Sequence, residues 1–213
     1  MNNSVMSTQK NQYHHGDLAS AFMDAAIRRI AEHGVEKLSL RAVARDLGVS
    51  QTAPYRHFQD KTHLLQLLAQ QGFEMLADQT KTAANDYEGD LLDKILISGM
   101  AYLNFAKHHP EHYRLMFGSK LPRQCQPEVL ENSSLSAFGC ILDQVTLGVE
   151  QGVLVQEEPK VLAKTQWSTV HGIAMLMIDG FYSEYSPQAL KQLFTSMLRY
   201  SINGIAAEKS NHS

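Results

Sequence analysis

The stretch Ser50–Phe58, SQTAPYRHF, gathers side chains suited to gripping a nucleic acid. Glutamine can pair with adenine N6 and N7 through two hydrogen bonds, which makes Gln51 a candidate for contact with base edges. Thr52 can reach a base, a thymine methyl or a phosphate. Tyr55, His57 and, just beyond, Lys61 offer a phenol, an imidazole and a cation to a sugar–phosphate backbone. The same stretch also admits a plain reading, with Tyr55 and Phe58 as core and His57 as a packed histidine. Pro54 sits among them, where an amide of a helix starting at Ser50 would first bond back within the helix.

Other chemistry finds little support. No Ser-His-Asp or Cys-His order, phosphate loop or HExxH motif is visible, so no catalytic residue and no cofactor is expected. His108, His109 and His112 invite a metal reading, but Pro110 interrupts the helix between His108 and His112, and no metal site is expected. Cys125 and Cys140 show no CxxC spacing and read as free thiols.

The elements that must position the first stretch read as helices. Leu18, Phe22, Ala25, Ala26 and Ile30 recur at helical spacing from about Asp17 to His33, and Gly34 is a stop. After a short connection, Ser39 is a good N-cap for a helix with Leu40, Val43, Ala44 and Leu47 on one face. Gly48 then turns the chain, and Ser50 is expected to cap a third helix that ends at Phe58. A helix, a glycine-containing turn and a second short helix form a helix-turn-helix. In that layout the later helix enters the major groove with its leading residues on base edges. Asp60 is expected to cap a much longer helix reaching about Ala84.

The remainder predicts helices near Asp90–Lys107, from Pro110 through HPEHYRLMF, and over Glu128–Gly152, Pro159–Tyr182 and Pro187–Ala206. Ser186 serves as cap for the last, and Gly118–Pro127 reads as a loop. No strand alternation appears, so the expected class is all-α.

Bulk properties agree with a two-part chain. It has 213 residues, 44% of them hydrophobic, and no apolar run long enough to span a membrane. The polar start MNNSVMSTQKNQ lacks the apolar core of an export signal, and a cytoplasmic location is expected. Residues 1–70 carry eight Lys/Arg against six Asp/Glu, while the rest carries eleven against sixteen. A slightly basic first part and an acidic remainder suit different partners.

The run LSLRAVARDLGVSQTAPYRHFQDKTHLLQLLAQQGF resembles the DNA-binding domain of the TetR family of bacterial regulators, and YHHGDL at Tyr13–Leu18 is typical of one branch. The resemblance implies Arg41, Gln51, Thr52 and Ala53 as base-facing, and Tyr55, His57 and Lys61 as phosphate-contacting. FAKHHPEHYRLMF and WSTVHG look like the branch whose C-terminal domain is named for its W…HG pattern. The implied organisation is a disordered arm over 1–12 and a helix-turn-helix head over 13–63. A helical-bundle effector-binding and dimerisation domain follows over 64–207, with a disordered tail over 208–213.

Within the second part, the segment Trp167–Tyr182 is apolar nearly all round and must be covered on several sides. A homodimer through the last two helices, about 159–182 and 187–206, is expected to cover it. Met100, Phe105, Met116, Phe138, Trp167, His171 and Met175 are the candidate lining of an effector pocket, with core filling as the alternative for each methionine. His171 reads either as a polar handle in that pocket or as a packed histidine beside Gly172 at a helix crossing. The expected function is a homodimeric repressor that binds a palindromic operator on double-stranded DNA and is released by a small, largely apolar effector. A sequence-independent DNA-binding or adaptor protein without an effector is the alternative, and an enzyme is disfavoured by the missing motifs.

Overall fold

A computed structural model of the chain describes residues 15–118 and 127–207, with side chains from 18 to 118 and 134 to 207. The expected arm and tail, most of the Gly118–Pro127 loop and Cys125 lie outside the described residues. The described residues form an all-helical fold with no strand and one isolated bridge between Leu154 and Ala206. They divide into two compact units, with the boundary between Leu64 and Leu65.

The first unit begins with α1 (His15–His33) and a 3-10 turn at Val35–Lys37 where the sequence predicted only a connection. Next comes α2 (Leu40–Asp46), where Ser39 Oγ accepts from the Ala42 amide at 3.2 Å, as its type and position predict. Gly48 adopts φ 67° and closes α2: its amide donates to Arg45 O at 3.1 Å and the Val49 amide to Ala44 O at 3.0 Å. This paired reversal requires a left-handed residue, which glycine supplies without a Cβ clash. Phe22, Ala26, Ile30, Val35, Leu38, Val43, Ala44 and Phe58 fill the core. The rings of Phe22 and Phe58 stack at 5.0 Å. Arg29 Nη1 pairs with Asp46 Oδ2 at 2.7 Å and ties α1 to the end of α2.

The third helical element departs from expectation. It is a 3-10 helix of four residues, Ala53–Arg56, and Ser50 does not cap it. The Ser50 hydroxyl instead meets Thr52 Oγ1 at 3.2 Å, and its carbonyl accepts from Ala53 at 3.0 Å. The cause is Pro54. An α-helix starting at Ser50 would drive the proline ring against the Ser50 carbonyl four residues back, and Pro54 has no N–H to donate to it. The tighter i→i+3 winding avoids both problems. Asp60 Oδ1 then accepts from the His63 amide at 2.8 Å and opens α3 (Lys61–Asn85).

The second unit takes the remainder of α3 and adds α4 (Leu91–His108), α5 (Pro110–Phe117), α6 (Pro127–Glu150), α7 (Pro159–Ile178) and α8 (Pro187–Asn203). Asp90 and Ser186 cap α4 and α8 through side-chain oxygens. Pro110 separates α4 from α5, as the sequence implied. The last two helices end earlier than predicted. Gly180, at φ 84°, reverses the chain after α7: its amide donates to Met177 O and that of Phe181 to Leu176 O. Apolar residues beyond this stop, Phe181 and Tyr182, had suggested a longer helix. The core joins α4, α6, α7 and α8 through Ile95, Leu103, Phe105, Val145, Leu162, Val170, Ile173, Phe194 and Leu198.

Candidate functional site

The first unit presents a polar surface on its shortest element. Pro54 and Phe58 are buried and anchor it, while Gln51, Thr52 and Arg56 are exposed and Tyr55 is 50% exposed. His57 and Ala53 are half-buried, and His57 leans on Phe58 at 6.2 Å between ring centroids. Arg41 is exposed at the second position of α2. Among the described residues, the side chains of Arg41, Gln51, Tyr55 and Arg56 make no hydrogen bond or ion pair. Lys61 is half-buried, and its Nζ donates to Glu36 O at 3.1 Å, so it also holds the 3-10 turn at Val35–Lys37.

The candidate pocket residues of the second unit separate into three groups. Trp167 lines a small cavity of about 50 Å³ with Ser98, Cys140, Gln166 and Val170. Met100 lines a larger cleft of about 560 Å³ between α4, the end of α7 and the start of α8. Phe105, Met116, Phe138, His171 and Met175 line neither of these two. Phe105 is fully buried and Met116 nearly so, which makes them packing residues, because interior side chains at helix junctions are needed to fill space.

His171 packs against the rings of Tyr113 and Phe117, with centroids 5.6 and 4.6 Å away. It belongs to a buried hydrogen-bonded chain. Trp167 Nε1 donates to Tyr102 Oη at 3.3 Å, the Tyr102 and Tyr113 hydroxyls lie 3.0 Å apart, and His171 Nδ1 lies 2.6 Å from Tyr113 Oη and 3.2 Å from Tyr102 Oη. Trp167 and His171 sit one turn apart on α7, so both reach the tyrosines of α4 and α5. Burial raises the Tyr102 phenol to about 12 and pushes Tyr113 up as well, so both stay protonated donors. Burial also holds His171 below its ordinary value, favouring the neutral ring. Sequence reasoning missed Tyr102 and Tyr113. The available signal was a phenol on the apolar face of each helix, which needs a partner once buried.

Among the described residues no helix is long and apolar enough to cross a membrane, and no group of three or more His, Cys, Asp or Glu is placed to hold a metal. Cys140 is a half-buried free thiol raised chiefly by burial.

The comparisons with known proteins agree with this anatomy. Residues 22–68 match the family profile described as bacterial regulatory proteins, tetR family, and residues 95–200 match the tetracyclin repressor-like C-terminal domain. HTH-type transcriptional regulators of Mycobacterium bovis and Mycobacterium tuberculosis are 30% identical over 127 residues, 59% of this chain and 54% of theirs. The chain therefore spans about half the length of the curated relatives it matches. A solved structure of a protein with unknown function from Rhodococcus sp. RHA1 is 29% identical, covers 92% of this chain and 100% of its own, and superposes with a TM-score of 0.81. A tetR family transcription regulator from Shewanella sp. PV-4 shares the fold at 18% identity and a TM-score of 0.69, over 89% of this chain and 98% of its own. The mycobacterial relatives and the Shewanella protein carry the names of transcriptional regulators. With a helix-turn-helix head and a helical second unit that each match their own part of the family, this chain belongs to the tetR family of bacterial regulatory proteins.

Proposed function

We propose that the protein is a homodimeric repressor that binds a palindromic operator through the major groove and is released by a small, largely apolar effector. The observation that carries this reading is the exposed polar edge formed by Gln51, Thr52, Tyr55 and Arg56 on an element anchored by buried Pro54 and Phe58, with Gln51, Tyr55 and Arg56 unpartnered among the described residues. A rigid element with free donors and acceptors loses little entropy when it meets base edges. Gln51 and Thr52, with Arg41 and Ala53, are assigned to bases, and Tyr55, His57 and Lys61 to the backbone.

Dimerisation through α7 and α8 is supported by the outward stripe of α7. Val161, Thr165, Ser168, Gly172 and Leu176 are all exposed at helical spacing, and none is charged. Val161 is 52% exposed, and Tyr200 on α8 is 79% exposed. A glycine in mid-helix costs about 1 kcal/mol against alanine. Gly172 has no neighbour in its own chain to justify that, whereas a second helix approaching closely would. A two-fold pair of heads would place recognition elements about 34–36 Å apart on successive major grooves. Release follows if the effector binds the DNA-incompetent arrangement more tightly, by about the free energy it removes from operator binding.

The test is selection of bound sequences from a random duplex pool by the full chain. An enriched palindrome with half-sites one helical turn apart is expected. Recovery of duplexes with no shared sequence would replace this reading with sequence-independent binding.

A further inference from the structure

The large cleft of the second unit is chemically two-sided. Met100, Leu103, Met177, Leu190 and Phe194 form an apolar wall between α4, α7 and α8. Lys107 and Lys191 stand on its rim, from α4 and α8. Neither lysine makes an ion pair or hydrogen bond among the described residues. No Asp or Glu lines the cleft. The nearby amide of Asn104 and hydroxyls of Tyr182 and Ser183 are likewise without a hydrogen-bonding partner among the described residues and complete a rim of donors. Its volume of about 560 Å³ is within the range of small-molecule sites.

We propose that this cleft binds an anionic amphipath, with its apolar body against Met100, Leu103 and Phe194 and its anionic head between Lys107 and Lys191. The proposal sharpens the effector reading above from a largely apolar molecule to one with a negative head, and it rests on that reading for any link to DNA release. Two ammonium groups facing one opening without a carboxylate repel each other, and an anion between them removes that repulsion. Charge-assisted hydrogen bonds from the lysines then fix the head, while burial of the chain supplies the non-directional part. Tyr200 and the α7 residues assigned to the dimer are not among the side chains that line the cleft.

The probe is decanoate, compared with decan-1-ol, titrated calorimetrically into the full chain without DNA. Decanoate is expected to bind once per chain. The K107Q/K191Q variant should weaken decanoate at least about tenfold, the loss of charge-assisted bonds, while leaving decan-1-ol within about twofold. Leu190→Trp, which fills the cleft, should abolish both, with its melting temperature checked to exclude unfolding. Absence of decanoate binding, equal loss of both probes in K107Q/K191Q, or undiminished decanoate binding in folded Leu190→Trp overturns the proposal. Because the readout needs no operator, decanoate that binds as expected yet leaves a DNA complex intact refutes the effector role and not the site.

Discussion

Tyrosine and histidine occur in two regions of this molecule with opposite fates. In the head, Tyr55 lies on a four-residue 3-10 helix and His57 directly follows it, with the phenol half exposed and no side-chain hydrogen bond for either among the described residues. In the second unit, Tyr102, Tyr113 and His171 turn inward and satisfy one another, with Trp167 completing the chain. The difference shows that side-chain type alone does not announce a site. A polar group whose partners lie within its own fold is spent on holding that fold, whereas one left facing water is available to a partner molecule. The head pays for that availability with a thin support: essentially Pro54 and Phe58 beneath the polar edge.

Removing that support should have the largest effect. Phe58→Ala deletes a 1%-exposed ring stacked on Phe22, and a loss of about 3–5 kcal/mol is expected from denaturant unfolding, with DNA binding lost alongside. If the head stayed folded and bound DNA as before, Phe58 would not be the anchor. Tyr113→Phe attacks the other region. It keeps the ring but removes the hydroxyl that bonds to His171 Nδ1, and should cost about 1–3 kcal/mol while leaving DNA affinity of the folded protein unchanged. A selective loss of DNA affinity would blur the division drawn here. Lys61→Ala should then weaken binding to all duplexes alike and lower the salt slope by about one charge, without changing sequence preference. A sequence-dependent loss would move Lys61 from backbone to base contact, and an unchanged slope would leave it only its bond to Glu36 O.

The smallest effect is with pH. Burial lowers the folded pKa of His171 from the ordinary 6.5, so the unfolded chain binds more protons once the pH falls below that value. The stability held above about pH 6.5 is therefore lost as the pH drops from there through the folded value. His109 shifts the same way, through burial first and His108 second. Urea midpoints at pH 7.5 and 5.5 should show the decline in the wild type and a shallower one in His171→Gln.

Much of the helical layout was legible because caps and breakers are local. Ser39, Asp60 and Ser186 each accept the amide three residues on, and Gly34 and Gly48 stop helices where their positions imply. What was missed depends on competition or distance. The 3-10 form of Ala53–Arg56 follows from Pro54 meeting a carbonyl four residues back, a clash outweighing the capping tendency of Ser50. The stop at Gly180 was masked by the apolar residues after it. The tyrosine–histidine chain joins positions 58 and 69 residues apart, which no local spacing displays. In the recognition stretch the polar residues were legible as chemistry, but their exposure needed the burial of Pro54 and Phe58 beneath them.

The most direct test of the central claim, that this polar edge reads bases, is to repeat the sequence selection with Gln51→Ala. The account predicts that preference relaxes at one position in each half-site, at a cost of about 1–3 kcal/mol there, with the remaining positions unchanged. A uniform loss across all sequences, or a preference identical to that of the wild type, would contradict it.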